Sequence, residues 1–182
     1  KPELATAWQI TPDAKSFTFT LRRGVRFHST PYFAPTREFN ADDVIFTFRR
    51  MTDPQHPFHK AFAVPYVYAQ SLGLAEMLAG IDRIDEYSVR FRLKQANVAF
   101  LSYFSGAFAG IHSAEYAAKL LAEGRASAIN NQPVGSGPYK LKSYRKDDVV
   151  RMLPHEGYWG GAQKTTQLIF AISREPAVRV QK

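Results

Sequence analysis

Apolar and polar residues alternate with a period of two in "SFTFTLRRGVRFH", residues 16–28, where Phe17, Phe19 and Leu21 share one face and Thr18, Thr20 and Arg22 the other. Successive side chains of a strand point to opposite sides, so this pattern predicts a half-buried strand. Gly24 permits a turn, after which Val25 and Phe27 resume the alternation with Arg26 facing out, as the second arm of a hairpin. "YSVRFRL" repeats the pattern, with Val89, Phe91 and Leu93 inward against Arg90 and Arg92, and predicts a strand pairing with that hairpin. Three further strand candidates, "YKLKSY", "VVRML" and "QLIFAIS", follow late in the chain, separated by the turns "KDD" and "GYWGG".

After the loop "STPYFAPTREF" the period becomes helical. Asn40 is a suitable N-cap, and Asp42 and Asp43 fall in the first turn, where carboxylates meet unpaired amides and the positive end of the helix dipole. Val44, Phe48 and Met51, with Ile45 beside them, make the apolar stripe, and Arg49 and Arg50 close the last turn before "TDP". "SAEYAAKLLAEG" is a second helix, capped by Ser113, striped by Tyr116, Leu120 and Leu121, and stopped at Gly124. "AQSLGLAEMLAG" predicts a short helix ending near Gly80, and the residues from Gln55 to Tyr68 predict a loop packed through its rings. "AFLSYFSGAFAGIHS" is either a buried helix or a strand followed by a bend. The polar stretch "RASAINNQ" reads as a boundary, and the whole pattern as an α+β fold.

A hydrophobic fraction of 45% over 182 residues suffices for a packed core. The net charge of +8 raises nucleic acid or anionic lipid as a partner. Lysines and arginines, however, stand singly or in pairs, as in "LRRGV" and "FRR", which marks a solvated face rather than a binding arm. The absence of cysteine rules out disulfides and thiolate metal sites. No apolar run approaches the roughly 18 residues of a membrane span, and "KPELATAWQI" lacks the features of a signal peptide. A first residue of Lys and a tail, "REPAVRVQK", without a closing cap lead to the expectation that the chain is a piece of a larger protein.

Candidate chemistry is sparse. "PVGSGPYKLKSY", residues 133–144, has neither the spacing of a phosphate loop nor the helix that a dinucleotide fingerprint needs after its glycines. Ser136 has its glycines immediately adjacent and leads into a strand, unlike a nucleophile elbow, so the segment reads as a tight turn. Of the two acidic pairs, Asp42 and Asp43 belong to a helix start, and Asp147 and Asp148 to a hairpin turn. His56 and His59 could meet a metal or a haem iron, but Pro57 keeps them off one helical face and no third ligand is near, which favours solvated loop histidines. Tyr66 and Tyr68 in "VPYVYAQ" have nothing basic adjoining, which argues against stacking on nucleic acid. A ligand-facing role, an interface role and simple packing all stay open for them.

Taken in order, "PELATAWQITPDAKSFTFTLRRGVRFH", "NADDVIFTF", "PVGSGPYKLKSY" and "EGYWG" resemble the successive motifs of the family 5 extracellular solute-binding proteins of ABC importers for peptides, nickel and haem. "FAPTREFNADDV" and "PFHKAFAVPYVYAQSLGL" are most similar to the dipeptide-binding branch and its relative linked to antimicrobial-peptide resistance. Ser136 stands where Thr is usual in the Gly-Thr-Gly-Pro motif, and Ser29 and Thr30 where many members have Asp-Gly. The resemblance implies a periplasmic, monomeric, non-enzymatic binding protein of two hinged lobes, without a cofactor. It would close on a peptide and deliver it to a membrane permease, with haem or nickel capture as the alternative. Residues 1–123 would form the small extra domain of the first lobe and residues 124–182 part of its main domain. The carboxylate and arginine that hold peptide termini would lie in the second lobe, beyond Lys182. Within this chain the resemblance places only Tyr66 and Tyr68 near the cleft.

Overall fold

The computed structural model describes residues 3–62 and 64–172; the tail "REPAVRVQK" lies outside them. The α+β expectation holds, with two antiparallel sheets and short helices. The first sheet has the order β1 (Ala5–Ile10), β2 (Ser16–Leu21), β4 (Ser88–Leu93), β3 (Leu78–Asp85). The two strands predicted by alternation are its centre, paired with Phe17 opposite Phe91 and Phe19 opposite Val89. Phe17, Phe19, Leu21, Val89, Phe91 and Leu93 are all buried, while Arg92 on the other face is exposed.

The flanking strands differ from expectation. β1 joins β2 although five of its six residues are exposed, so backbone pairing rather than a buried face holds it. The predicted arm at Val25 and Phe27 does not fold back on β2: both side chains enter the core, but the backbone runs on to bond Phe39 and Gly135 instead. The helix expected across 69–80 is broken at Gly73, whose φ of 61° is left-handed and freely available only without a Cβ. It divides α3 (Val67–Ser71) from α4 (Leu74–Met77), after which Leu78, Ala79 and Gly80 begin β3. The loop expected over 55–68 contains α2 (Pro57–Ala61), with Pro57 at the helix start, where its missing N–H costs nothing.

α1 (Ala41–Thr52) packs on the first sheet, and Phe48 meets Phe91 edge-on at 5.0 Å. "AFLSYF" resolves as α5 (Phe100–Tyr103), a single turn that sets Phe100 and Phe104 against Phe17, Phe19 and Phe91. α6 (Ala114–Ala122) matches its expected bounds, with Ser113 accepting from the Tyr116 amide at 3.1 Å. Beyond it Ala126, Ile129 and Val134 still pack into this core. The second sheet, β5 (Tyr139–Arg145), β6 (Val149–Pro154) and β7 (Leu168–Ala171), is the expected meander. Asp147, at a φ of 61°, and Asp148 form its first turn, as predicted.

One carboxylate joins these parts. Asp43, fully buried, takes the Arg37 guanidinium on both oxygens at 2.8 Å and accepts from the Asn40 amide at 2.9 Å, closing the capping box of α1. It also accepts from the amide of Ala114, the first residue of α6, at 2.8 Å. The starts of two helices and the preceding loop thus share one anion, the charge that both helix dipoles favour. Its neighbour Asp42 meets Arg83 only at the surface. Removing one partner of a buried, hydrogen-bonded charge pair costs about 3–5 kcal/mol, against under about 1 kcal/mol for an exposed pair. Urea denaturation should therefore show Asp43→Asn losing several times more stability than Asp42→Asn; equal small losses would remove Asp43 from this role.

Candidate functional site

The two tyrosines singled out from sequence sit two residues apart at the start of α3 and face different surroundings. Tyr66 turns inward: its ring lies 5.5 Å from His59 and 5.6 Å from the Arg50 guanidinium carbon, and its hydroxyl is buried without a hydrogen-bond partner. Burial pushes its phenol above the usual range, with Arg50 opposing. Tyr68 is 69% exposed and stacks on Phe108, with centroids 6.3 Å apart. The structure therefore separates the pair into one packed ring and one surface ring.

His56 and His59 are engaged in the local fold rather than solvated. His56 caps α2 by accepting from the Phe58 amide at 3.2 Å, and its ring rests on Phe46. The Nδ1 of His59 lies 2.8 Å from the Arg50 carbonyl. No group of three or more His, Asp or Glu able to hold a metal ion occurs among the described residues.

The glycine motif behaves differently from a tight turn. Neither Gly135 nor Gly137 has a positive φ; the segment is an open strap held by His28. The Gly135 amide donates to His28 Nδ1 at 3.3 Å, the His28 amide donates to the Gly135 carbonyl at 2.7 Å, and His28 Nε2 bonds the Gly137 carbonyl at 2.9 Å. That set requires neutral imidazole with the proton on Nε2. A Cβ on residue 135 would stand 3.4 Å from the His28 ring, an ordinary contact distance. His155 stacks edge-on against His28 at 4.8 Å and reaches the Arg26 carbonyl, which attaches the second sheet to the first unit. A cleft of about 420 Å³ opens beside this junction, lined by Arg26, Arg37, Glu38, Lys140, His155 and Glu156. A more apolar one of about 540 Å³ lies between β1 and the α5 region, lined by Trp8, Phe19, Phe48, Leu101, Phe104 and Ile111.

Sequence reasoning missed Arg50 and His28. Arg50 is 8% exposed, yet as a lysine-like residue closing a helix it carried no sign of burial. Asp43, Thr47 and Arg50 share one helical stripe, but as polar residues they gave no hint that this flank is buried. His28 lies 107 residues from Gly135, a separation over which local pattern says nothing.

A model of the bacterial extracellular solute-binding proteins, family 5 Middle, matches residues 1–182. The chain belongs to this family. As a family 5 solute-binding sequence it is 47% identical over 182 residues to di/tripeptide-binding protein 1 of Pseudomonas aeruginosa (strain UCBPP-PA14), covering 100% of this chain and 34% of that protein. It is 37% identical over 182 residues to heme-binding protein A of Haemophilus influenzae (strain ATCC 51907 / DSM 11121 / KW20 / Rd), covering 100% of this chain and 33% of that protein. The dipeptide-binding protein of Pseudoalteromonas sp. SM9913, solved in complex with Met-Leu, superposes with a TM-score of 0.96 at 44% identity, over 100% of this chain and 36% of that one. The chain thus spans about a third of the length of these relatives.

Histidines withdrawn from water tie the stability of this chain to pH. Burial pushes His28 down to about 4 and His112 to about 3, and lowers His56 and His155 as well. Above pH ~6.5 both folded and unfolded chains carry these rings neutral; below it the unfolded chain gains protons that the folded one resists, so stability falls as pH drops toward 4. Each such ring costs up to about 1.4 kcal/mol per pH unit. The urea midpoint should be flat from pH 8 to 7 and decline from pH 6.5 to 4.5, less steeply in His28→Gln; a midpoint unchanged to pH 5 would contradict this.

Proposed function

We propose that this chain is part of the first lobe of a periplasmic, monomeric solute-binding protein that captures short peptides and delivers them to the permease of an ABC importer, without catalysis. Residues 1–123 form its small extra domain and residues 124–182 part of the main domain, with 124–134 leading across while packed on the first core. The observation that carries the reading is the similarity, over the whole chain, to a dipeptide-binding protein holding Met-Leu. Agreement of the di/tripeptide-binding relative at still higher identity supports the same ligand class. The exposed Tyr68 ring, braced by Phe108, is the side chain here best placed to face a ligand, and Tyr66 supports it from within. Peptide main chain and termini are held chiefly by residues beyond this chain, so calorimetry with Ala-Ala and Ala-Ala-Ala should show binding by the intact protein. Tyr68→Ala should weaken it roughly tenfold or less. No heat of binding for any di- or tripeptide would overturn the reading.

Haem or nickel capture is the second reading, favoured by the relative named as heme-binding. His56 and His59 would be its ligands only after giving up their present bonds through Nδ1, or by using Nε2. Titration with haemin decides it: a Soret shift in the intact protein that is lost in the His56→Ala, His59→Ala double variant would favour haem, and an unchanged band in that variant would clear both residues.

A further inference from the structure

α1 carries a polar stripe at 43, 47 and 50 on the flank of its buried face. Two of its members find partners at the start of α6 and just before it: Asp43 accepts from the Ala114 amide, and Thr47 Oγ1 accepts from the His112 amide at 2.9 Å. The third, Arg50, is more than nine-tenths buried, and among the described residues no carboxylate or carbonyl accepts from its guanidinium, of which Nε is wholly enclosed and unbonded. Among the described residues, the faces of Phe46 and Tyr66, 5.9 Å and 5.6 Å from the guanidinium carbon, are what the cation packs on. The buried Tyr66 hydroxyl, also unpartnered among the described residues, lies in the same cluster. A cation withdrawn from water without a counter-charge is costly, and cation–π contact recovers only part of that cost.

We propose that Arg50 and Tyr66 form a receiving site for a carboxylate. Both groups offer donors, no acid lies among the groups that act on Arg50, and the nearby His112 is held neutral by burial, so the cluster suits an acceptor-only, singly charged ligand. A guanidinium fork matches a carboxylate in particular, with the phenol able to donate a further bond. Two sources could supply that group: an Asp or Glu elsewhere in the intact polypeptide, of which this chain matches about a third in its relatives, or the carboxylate of a captured solute.

The Arg50 Nε–H resonance of the intact protein, assigned with Arg50→Lys, distinguishes them. With an internal carboxylate, the resonance is downfield before any addition and indifferent to acetate, and both Arg50→Met and Tyr66→Phe lower the urea midpoint. With a solute carboxylate, acetate moves the resonance saturably at constant ionic strength while acetamide does not. Ala-Ala then acts like acetate, its C-terminal amide does not, and Tyr66→Phe weakens the Ala-Ala response roughly tenfold. The acetate arm stands even if peptides are not the solute. A resonance in the unpaired position that none of these probes moves, together with an Arg50→Met protein of unchanged or higher midpoint, would overturn the proposal.

Discussion

A single buried carboxylate takes four donors from three parts of the chain: both ends of the Arg37 fork, the Asn40 amide at the start of α1, and the Ala114 amide at the start of α6. Helix starts leave amides unpaired and favour negative charge, so one anion shared by two of them satisfies donors that would otherwise be enclosed without partners. The consequence is geometric. α1 cannot shift on the sheet without breaking α6, and the loop carrying Arg37 is fixed between them. Thr36 bonds Glu115, and Lys119 bonds the Tyr32 carbonyl, so that loop is strapped along the whole face of α6.

Attachment of the second sheet rests instead on neutral histidines and a cation–π contact. His28 holds the Gly135–Gly137 strap, His155 closes on His28, and Arg22 lies 4.1 Å over the Trp159 ring from the "GYWG" segment. These three contacts bring "RRGVRFH", "PVGSGP" and "EGYWG" to one place. Motifs that are dispersed in sequence are therefore one structural joint, and part of the acid sensitivity of the fold lies there, because the joint requires an uncharged His28.

What was legible in the sequence follows from how each residue is used. Strands with one wet face, such as β2 and β4, carry a period of two, and helices with an N-cap and an apolar stripe, such as α1 and α6, carry a period near four. β1 was illegible because an edge strand held by backbone bonds needs no alternation, and β3 because Leu74–Met77 is a genuine helical turn running directly into it. For Tyr66 and Tyr68 a ligand-facing, an interface and a packing role stood open, and the structure has Tyr66 packed and Tyr68 exposed; His56 and His59 were read as solvated and are bonded. Arg50 was read, with Arg49, only as the positive end of a helix, since basic residues in the last turn are ordinarily at the surface.

A binding protein requires a frame that stays rigid while ligand contacts are made, and here the frame is centred on Asp43, with Arg50 two turns farther along the same helix and Tyr66 packed on it from the start of α3. Hydrogen exchange at the two amides that Asp43 accepts, Asn40 and Ala114, tests that view most directly. If the carboxylate is the common anchor, both amides exchange only through global unfolding, at the rate of the central-strand amides of Val89 and Phe91. Exchange of either one through a local opening, with the strands still protected, would show that α1 and α6 are held independently and would contradict the account.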